Sequence, residues 1–270
     1  MATSDAPIEI GHVVLTVHDL DKLSDFYQRA VGLERLSSDG ESASLGAGGR
    51  QLLELRRDPA ARFAGHREAG LFHTAFLLPS REDLGALLNA YAKRNARIQG
   101  ASDHAVSEAL YLSDPEGNGI EIYSDRPRDV WPRGAAGIEM TTEPLDLADL
   151  MRSATGEWNG APAGTVVGHV HLRVGAIPEA EAFYTTGLGM DLTTRYPGGS
   201  FYASGGYHHH LATNVWSSRG AAPRDLPATG LTEVALRATP EEVDAFAARH
   251  GGSSARDPWN TLFTIAAKPA

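Results

Sequence analysis

Side chains that bind metals or transfer protons lie close together between positions 73 and 121. His73 lies in the apolar segment LFHTAFLLP, and His104, Tyr111 and Glu121 follow in DHAVSEALYLSDPEGNGIEIY. Two imidazoles, a phenol and a carboxylate that face one cavity would provide a metal site with acid–base groups around it. The 270-residue chain contains no cysteine, so any metal must be held by histidine and carboxylate.

The elements that must position these residues repeat along the chain. GHVVLTVHDLDKLSDFYQRAVGLE begins at Gly11, and GHVHLRVGAIPEAEAFYTTGLGMD begins at Gly168. Each predicts a strand with alternating apolar residues, then an amphipathic helix, then a strand. Looser copies begin at Leu71 and Leu231. We number the copies units one to four in chain order, and the repetition predicts four similar β-α-β-rich units.

The segment 126–165 differs from the repeated units. It contains RPRDVWPRG, a short acidic helix candidate in LDLADLMRS, and the glycine- and proline-rich GEWNGAPAG. We interpret it as a crossover followed by a linker. It divides the chain into a first half at 1–125 and a second half at 166–270, each with two units.

Composition excludes several classes of protein. Hydrophobic residues make up 42% of the chain and charged residues 21%, which is typical of a globular protein. The net charge of −10 argues against nucleic-acid binding. No apolar run approaches the roughly 18 residues of a membrane span, and MATSDAPIEI does not resemble a signal peptide. We expect a cytoplasmic protein without membrane partners, and a homo-oligomer because repeated modules with sheet edges commonly associate.

Histidines occupy equivalent positions in different units. His12 and His169 match each other in the first strands of units one and three, and His73 matches Glu233 in units two and four. A histidine in a β-strand, considered alone, is usually a buried or surface residue with no metal role. Equivalent placement beside a partner carboxylate favours a metal ligand.

A carboxylate in the last strand is present only in unit two. It is Glu121, and the matching position of unit four is Thr264. Two histidines and one carboxylate on one face of a metal leave adjacent positions open, which suits non-haem Fe(II). Zn²⁺, Mn²⁺ and Ni²⁺ accept the same ligands, so the ligand types leave the metal open.

These patterns carry a family resemblance over almost the whole chain. The units resemble the βαβββ modules of the vicinal oxygen chelate superfamily, which includes glyoxalase I and antibiotic-resistance proteins. Within it the chain most resembles type I extradiol dioxygenases, particularly two-domain catechol 2,3-dioxygenases. The resemblance implies an α+β fold in which four βαβββ modules form two vicinal-oxygen-chelate-type domains with curved mixed sheets.

The resemblance also assigns roles to particular residues. Unit three matches the family module with one ligand and one acid–base residue, which would be His169 in GHVHL and His209 in the His-x-aliphatic-Ala pattern HHLA. Unit two matches the paired module and provides four residues, the metal ligands His73 and Glu121 and the catalytic residues His104 and Tyr111.

This ligand set requires unit two to pair with unit three across the linker. A rival site would use His12, His73 and Glu121 within the first half. It lacks an acid–base histidine, since unit one has QLLEL where unit three has YHHHL. A third cleft, with His12, Glu233 and Thr264, is the poorest candidate. We therefore favour the site between units two and three.

The activity that the resemblance implies is extradiol cleavage of a small aromatic diol by O₂. The enzyme would use non-haem Fe(II), with Mn(II) as the alternative metal, and no organic cofactor. His209 would act as base and then acid, while Tyr111 and His104 would bind the substrate oxygens. Two other functions of this fold stay open, which are a glyoxalase-like metal-dependent isomerase or lyase and a non-catalytic resistance protein that binds a small molecule.

The neighbours of His209 carry weaker signals. If the stretch 207–210 is extended, His208 and His210 point away from His209. They could support the site residues from behind, but we favour the alternative that they are packed or solvated. We expect core packing for Tyr207 and Trp216 in preference to a place in the pocket wall.

Overall fold

The computed structural model describes residues 6–134 and 137–269, and its first half folds into two similar units. Unit one consists of β1 Ile8–Val17, α1 Leu20–Ala30, β2 Glu34–Ser38, β3 Ser42–Ala47 and β4 Arg50–Arg57. Unit two consists of β5 Gly70–Leu77, α2 Arg81–Lys93, β6 Gly100–Asp103, β7 Ser107–Ser113 and β8 Gly119–Asp125.

Both helices of this half begin at a side-chain cap. Asp19 precedes α1 and accepts the backbone N–H of Lys22 at 3.0 Å. Ser80 precedes α2 and accepts the backbone N–H of Asp83 at 3.1 Å. Each cap satisfies a donor that the first turn of the helix leaves without a partner.

The crossover is ordered over its described residues and forms short elements. A 3₁₀ turn at Arg128–Val130 leads to three two-residue strands and one helix, which are β9 Arg133–Gly134, β10 Gly137–Ile138, β11 Glu143–Pro144 and α3 Leu147–Ser153. The helix confirms the prediction made from LDLADLMRS.

The second half repeats the pattern, except that unit four is shorter. Unit three consists of β12 Val166–Arg173, α4 Ile177–Ala182, a π-helical turn Phe183–Gly187, β13 Asp191–Tyr196, β14 Gly199–Ala203 and β15 Leu211–Asn214. Unit four consists of β16 Gly230–Ala238, α5 Pro240–His250, β17 Ser254–Arg256 and β18 Leu262–Ala267. Within the described residues, unit four thus has one strand fewer than the others.

The strands form two large curved sheets of mixed direction, and each sheet combines units from both halves. One sheet has the order β11-β6-β7-β8-β5-β12-β15-β14-β13 and joins unit two to unit three, so we call it the 2/3 sheet. The other, the 1/4 sheet, has the order β17-β18-β16-β1-β4-β3-β2. The pairing of units across the linker that the sequence favoured is therefore confirmed.

A matching hydrogen bond connects the two units within each half. The buried Tyr27 hydroxyl of unit one donates to Asp114 of unit two at 3.1 Å, and Tyr184 of unit three donates to Asp257 of unit four at 2.8 Å. Each aspartate also accepts backbone N–H groups of the turn before its last strand. Burial raises the pKa of both carboxyls above the usual aspartate value. The sheets join unit two to unit three and unit one to unit four, and these hydrogen bonds join the two units of each half. All four units are therefore connected.

None of the helices in the described ranges is both long enough and apolar enough to span a bilayer.

Candidate metal centre and active site

Three neighbouring strands at the middle of the 2/3 sheet bring the predicted ligands together. Ala75 of β5 lies opposite Glu121 of β8 on one side and opposite His169 of β12 on the other. His73 precedes Ala75 by two residues on β5 and therefore projects from the same face of the sheet. All three side chains are buried, with residue exposures of 7% for His73 and 3% for Glu121 and His169.

The ligand atoms converge closely enough to hold one metal ion. His73 Nε2 lies 3.0 Å from Glu121 Oε2, His169 Nε2 lies 3.3 Å from the same oxygen, and the two Nε2 atoms are 3.2 Å apart. Ligand atoms that bind a metal at about 2.1 Å and at right angles to each other lie about 3 Å apart. Among the described residues these three form the one group of histidine, aspartate or glutamate side chains that meets this condition.

The protonation states of the triad also suit a metal. Burial lowers the pKa of His169 to about 4, although Glu121 opposes this shift. Burial of Glu121 favours its neutral form, but His169 and His73 outweigh that effect and hold the pKa of the carboxyl well below its ordinary value. His169 is therefore neutral and Glu121 ionised near pH 7, which are the forms that ligate a metal. The residues present fit a divalent ion such as Fe(II).

Tyr111 and His104 lie beside the triad and are hydrogen-bonded to each other. Tyr111 of β7 pairs directly with Glu121 of β8, and its hydroxyl lies 2.6 Å from His104 Nε2. The Nδ1 atom of His104 lies 2.6 Å from the carbonyl oxygen of Thr141, which can only accept. Nδ1 of His104 therefore carries the proton, and Nε2 accepts from Tyr111. Burial, followed by the charge of Glu121, raises the pKa of Tyr111 well above 10, so the phenol is neutral.

His209 lies on the opposite side of the triad, with its ring centroid 4.1 Å from that of His169. The stretch 207–210 is not a strand, because β15 begins at Leu211. The expectation that His208 points away from His209 is therefore wrong, since their Nδ1 atoms lie 2.7 Å apart. His210 is buried and accepts the backbone N–H of Ser204, which agrees with the expected packing.

The triad, His104, Tyr111 and His209 open into one cavity of about 340 Å³. Its outer wall is aromatic: Phe72 contacts His171 and Trp216 with ring centroids 4.8 and 5.5 Å away, and Phe201 lies 5.0 Å from His209. Core packing was the wrong expectation for Trp216, which follows the end of β15, is 50% exposed and borders the cavity. It is correct for Tyr207, which is fully buried.

Sequence reasoning missed three residues of this region. His171 lines the cavity and pairs with His73 across the sheet, and its position two residues after His169 was the available signal. Phe201 lies on β14 in a segment without a motif. Asp125 contacts His208 from 83 positions away, and nothing in the local sequence indicates that contact.

The rival ligand His12 lies elsewhere. It belongs to β1 in the 1/4 sheet, whereas His73 and Glu121 belong to the 2/3 sheet. The charged residues around His12 include Glu54, Glu233 and Arg56. The first-half site is therefore not formed.

Comparison with known proteins identifies the family to which the chain is similar. The family model described as Glyoxalase/Bleomycin resistance protein/Dioxygenase superfamily matches residues 9–122 and 166–268. A protein of Bacillus subtilis (strain 168) named catechol-2,3-dioxygenase is 41% identical over 262 residues, which cover 94% of this chain and 92% of that protein.

Solved structures show the same fold at low identity. A structure from Bacillus subtilis subsp. subtilis str. 168 is 17% identical, with a TM-score of 0.65, and the match covers 97% of this chain and 86% of the other. Glyoxalase I from Zea mays is also 17% identical, with a TM-score of 0.54 and coverage of 96% and 92%. With both units of each half matched by the family model, the chain belongs to the glyoxalase/bleomycin resistance protein/dioxygenase superfamily.

Proposed function

We propose that this protein is an extradiol dioxygenase that uses non-haem Fe(II) to cleave a catechol-type substrate with O₂. The observation that carries the proposal is a buried two-histidine, one-carboxylate triad that shares a cavity with separate acid–base groups. The catechol-2,3-dioxygenase name of the 41% identical relative supports the same activity. We propose His73, Glu121 and His169 as the metal ligands, and His104, Tyr111 and His209 as the catalytic residues.

Fe(II) bound to the triad would provide adjacent positions for a catechol and O₂ and would acidify the catechol hydroxyls. The protein's own residues then manage the protons. His209 accepts a substrate proton at Nε2 and later returns it, which a buried neutral imidazole can do. Burial, with the neighbouring imidazoles adding to it, lowers the pKa of His209 well below its usual value, so the base form is present at neutral pH.

Tyr111 and His104 bind the substrate on the other side. The Tyr111 hydroxyl donates to His104 Nε2, which leaves the phenol oxygen free to accept a hydrogen bond from a substrate hydroxyl. The carbonyl of Thr141 fixes the ring of His104, so the pair is ordered before substrate arrives. Such preorganised polar groups stabilise charge that develops during the reaction.

The shape of the cavity suits a planar aromatic diol. Ligand cavities of roughly 300 to 1,000 Å³ accommodate small organic molecules, and about 340 Å³ is at the lower end of that range. Phe72, Phe201 and Trp216 offer ring faces and edges, while the polar groups concentrate at the triad. A substrate would therefore enter with its hydroxyls toward the triad and its ring against the aromatic wall.

Oxygen consumption tests the proposal. Protein reconstituted with Fe(II) without air is mixed with catechol or 4-methylcatechol, and air is then admitted. We expect one O₂ consumed per catechol and a yellow ring-opened product, with neither when Glu121→Ala is used as the control. Isomerisation of the methylglyoxal–glutathione adduct by the metal-loaded protein, without O₂ uptake on either catechol, would replace the dioxygenase with a glyoxalase-like enzyme.

A further inference from the structure

His209 is the first of three side chains linked by hydrogen bonds, of which the two histidines are buried and Asp125 is partly buried. Its Nδ1 lies 2.7 Å from Nδ1 of His208, and Nε2 of His208 lies 2.9 Å from Oδ1 of Asp125. Asp125 ends β8, the strand that also carries Glu121. His208 is fully buried, whereas His209 borders the cavity. The chain of contacts therefore runs from the cavity into the protein.

With both histidines neutral, the two contacts assign a position to each proton. The Asp125 carboxylate can only accept, so Nε2 of His208 carries a proton. In a neutral His208 the Nδ1 atom is then an acceptor, and Nδ1 of His209 must donate to it. Because Nδ1 of His209 is turned toward His208 while its ring borders the cavity, the unprotonated Nε2 is left to face the cavity. This is the tautomer that a base toward the substrate requires.

The packing around His208 holds this arrangement in place. Its ring lies against Tyr207, with centroids 4.0 Å apart and planes 34° apart, and its edge meets Trp131 at 5.1 Å. Tyr207 is itself held by a 2.8 Å hydrogen bond to Tyr123, and the Trp131 indole donates to the carbonyl of Arg126 at 2.8 Å. His208 thus has little freedom to turn or to reach the substrate, and it can act only through His209.

We propose that Asp125 and His208 are positioning residues that hold His209 with its proton on Nδ1 and its Nε2 free toward the substrate. As an effect on turnover, this role rests on the dioxygenase function proposed above. As a statement about the His209 tautomer, it is independent of that function and of any metal.

The tautomer is measured directly by ¹⁵N NMR of the full-length, histidine-labelled protein at neutral pH, without metal and with Zn(II) as a diamagnetic ion. We expect a protonated Nδ1 and an unprotonated Nε2 for His209 in both forms, assigned by the loss of its signals in His209→Gln. In His208→Phe, which keeps a flat ring but removes the acceptor, we expect the proton of His209 to move toward Nε2. His210→Gln, a change at an equally buried neighbour, should leave the tautomer unchanged.

Kinetics of the Fe(II)-loaded proteins separate positioning from a loss of structure. General acid–base groups contribute roughly 10²- to 10⁴-fold to rate, so a misplaced base should lower kcat by roughly 10- to 100-fold. In His208→Phe we expect that loss in kcat, with the iron content and the KM for catechol unchanged. The proposal is overturned by a proton on Nε2 of His209 in the natural protein, or by His208→Phe with an unchanged tautomer and kcat. An inactive natural protein that still shows the expected tautomer would reject the dioxygenase function alone.

Discussion

The two large sheets share one backbone plan but present different side chains at equivalent positions. Ala75 of the 2/3 sheet lies opposite Glu121 and His169, and Ala235 of the 1/4 sheet lies opposite Thr264 and His12 in the same way. The third ligand position, His73 in the first sheet, is Glu233 in the second. The same strand register is therefore present twice, and among the described residues only the 2/3 sheet carries three converging side chains that could hold a metal.

The two sheets also differ in the charged side chains around these equivalent positions. In the 1/4 sheet, Arg56 Nε lies 2.6 Å from Glu54 Oε1 and its Nη1 lies 3.8 Å from Glu233 Oε2, while Thr264 donates to the other Glu233 oxygen at 2.6 Å. Within the described residues, no lysine or arginine lines the cavity of the 2/3 sheet. The carboxylates of the 1/4 sheet thus have a guanidinium beside them, whereas Glu121 lines a cavity without one and could ligate a cation.

The largest difference is expected in metal binding. Glu121→Ala removes the one negative ligand of the triad, and we expect at least a roughly 100-fold loss of Fe(II) or Zn(II) affinity, since even indirect partners of ligands cost 10- to 100-fold. The matched change Glu233→Ala should retain full metal binding. Anaerobic equilibrium dialysis followed by elemental analysis gives both values. Equal losses in the two variants would remove the functional distinction between the sheets.

Turnover, which requires the bound metal, should also differ between the two sheets. The strand registers make Gln51 of the 1/4 sheet the counterpart of His209, because Val170 lies opposite Leu211 as Val13 lies opposite Leu53. His209→Ala is expected to keep its iron but lose catechol cleavage by roughly 10²- to 10⁴-fold, the usual contribution of an acid–base group. Gln51→Ala should keep both. Full activity in His209→Ala would show that another group moves the proton.

The stability of the metal-free protein in acid should depend more on His210 of the 2/3 sheet than on His12 of the 1/4 sheet. This effect is smaller than those on metal binding and turnover. Burial lowers the pKa of His210 to about 3, whereas an unfolded histidine has a value of about 6.5. The unfolded chain therefore gains a proton that the fold excludes, and stability falls as the pH falls below about 6.5. One such histidine costs about 2 kcal/mol between pH 6.5 and pH 5.

Urea unfolding at several pH values measures this loss. His210→Gln keeps an acceptor for the Ser204 N–H and should reduce the dependence of the unfolding free energy on pH by about one proton. His12→Gln, in the other sheet, should change the dependence less because carboxylates near His12 oppose the lowering of its pKa. The same pH dependence in His210→Gln and in the natural protein would contradict the expected neutral, buried state of His210.

The sequence predicted the frame well because the frame is encoded by patterns that repeat. The alternating apolar residues and amphipathic helices of the four units located the strands, and the equivalent histidines indicated which strands meet. The pairing of unit two with unit three followed from the need to combine Glu121 with an acid–base histidine. These are properties of residue type and spacing, which a sequence displays directly.

The surroundings of His209 could not be predicted in the same way. His208 was expected on the opposite face because strand alternation was applied to a loop, and a loop has no fixed alternation of faces. Its contact with Asp125 depends on the packing of Tyr207 and Trp131 around the ring. Trp216 was expected in the core because large aromatic residues usually are, yet it lies two residues after the end of β15 and borders the cavity.

The smallest effect is expected from Arg56→Met in the 1/4 sheet. The side chain of Arg56 is 47% exposed, so its pairs with Glu54 and Glu233 are screened by water and contribute at most about 1 kcal/mol to folding. We expect the free energy of unfolding to fall by no more than this, and slightly more than in Arg57→Met, whose partner Glu41 is 75% exposed.

The number of metal ions bound per chain in Arg56→Met is more informative than its unfolding free energy. His12, Glu54 and Glu233 do not converge as the triad does, because the one converging group of described residues is His73, Glu121 and His169. Removing the guanidinium should therefore leave one metal per chain. Two metals per chain would mean that Arg56 alone prevents the 1/4 sheet from binding a metal. One metal per chain would mean that the 1/4 sheet also lacks the placement of ligand atoms that a metal requires.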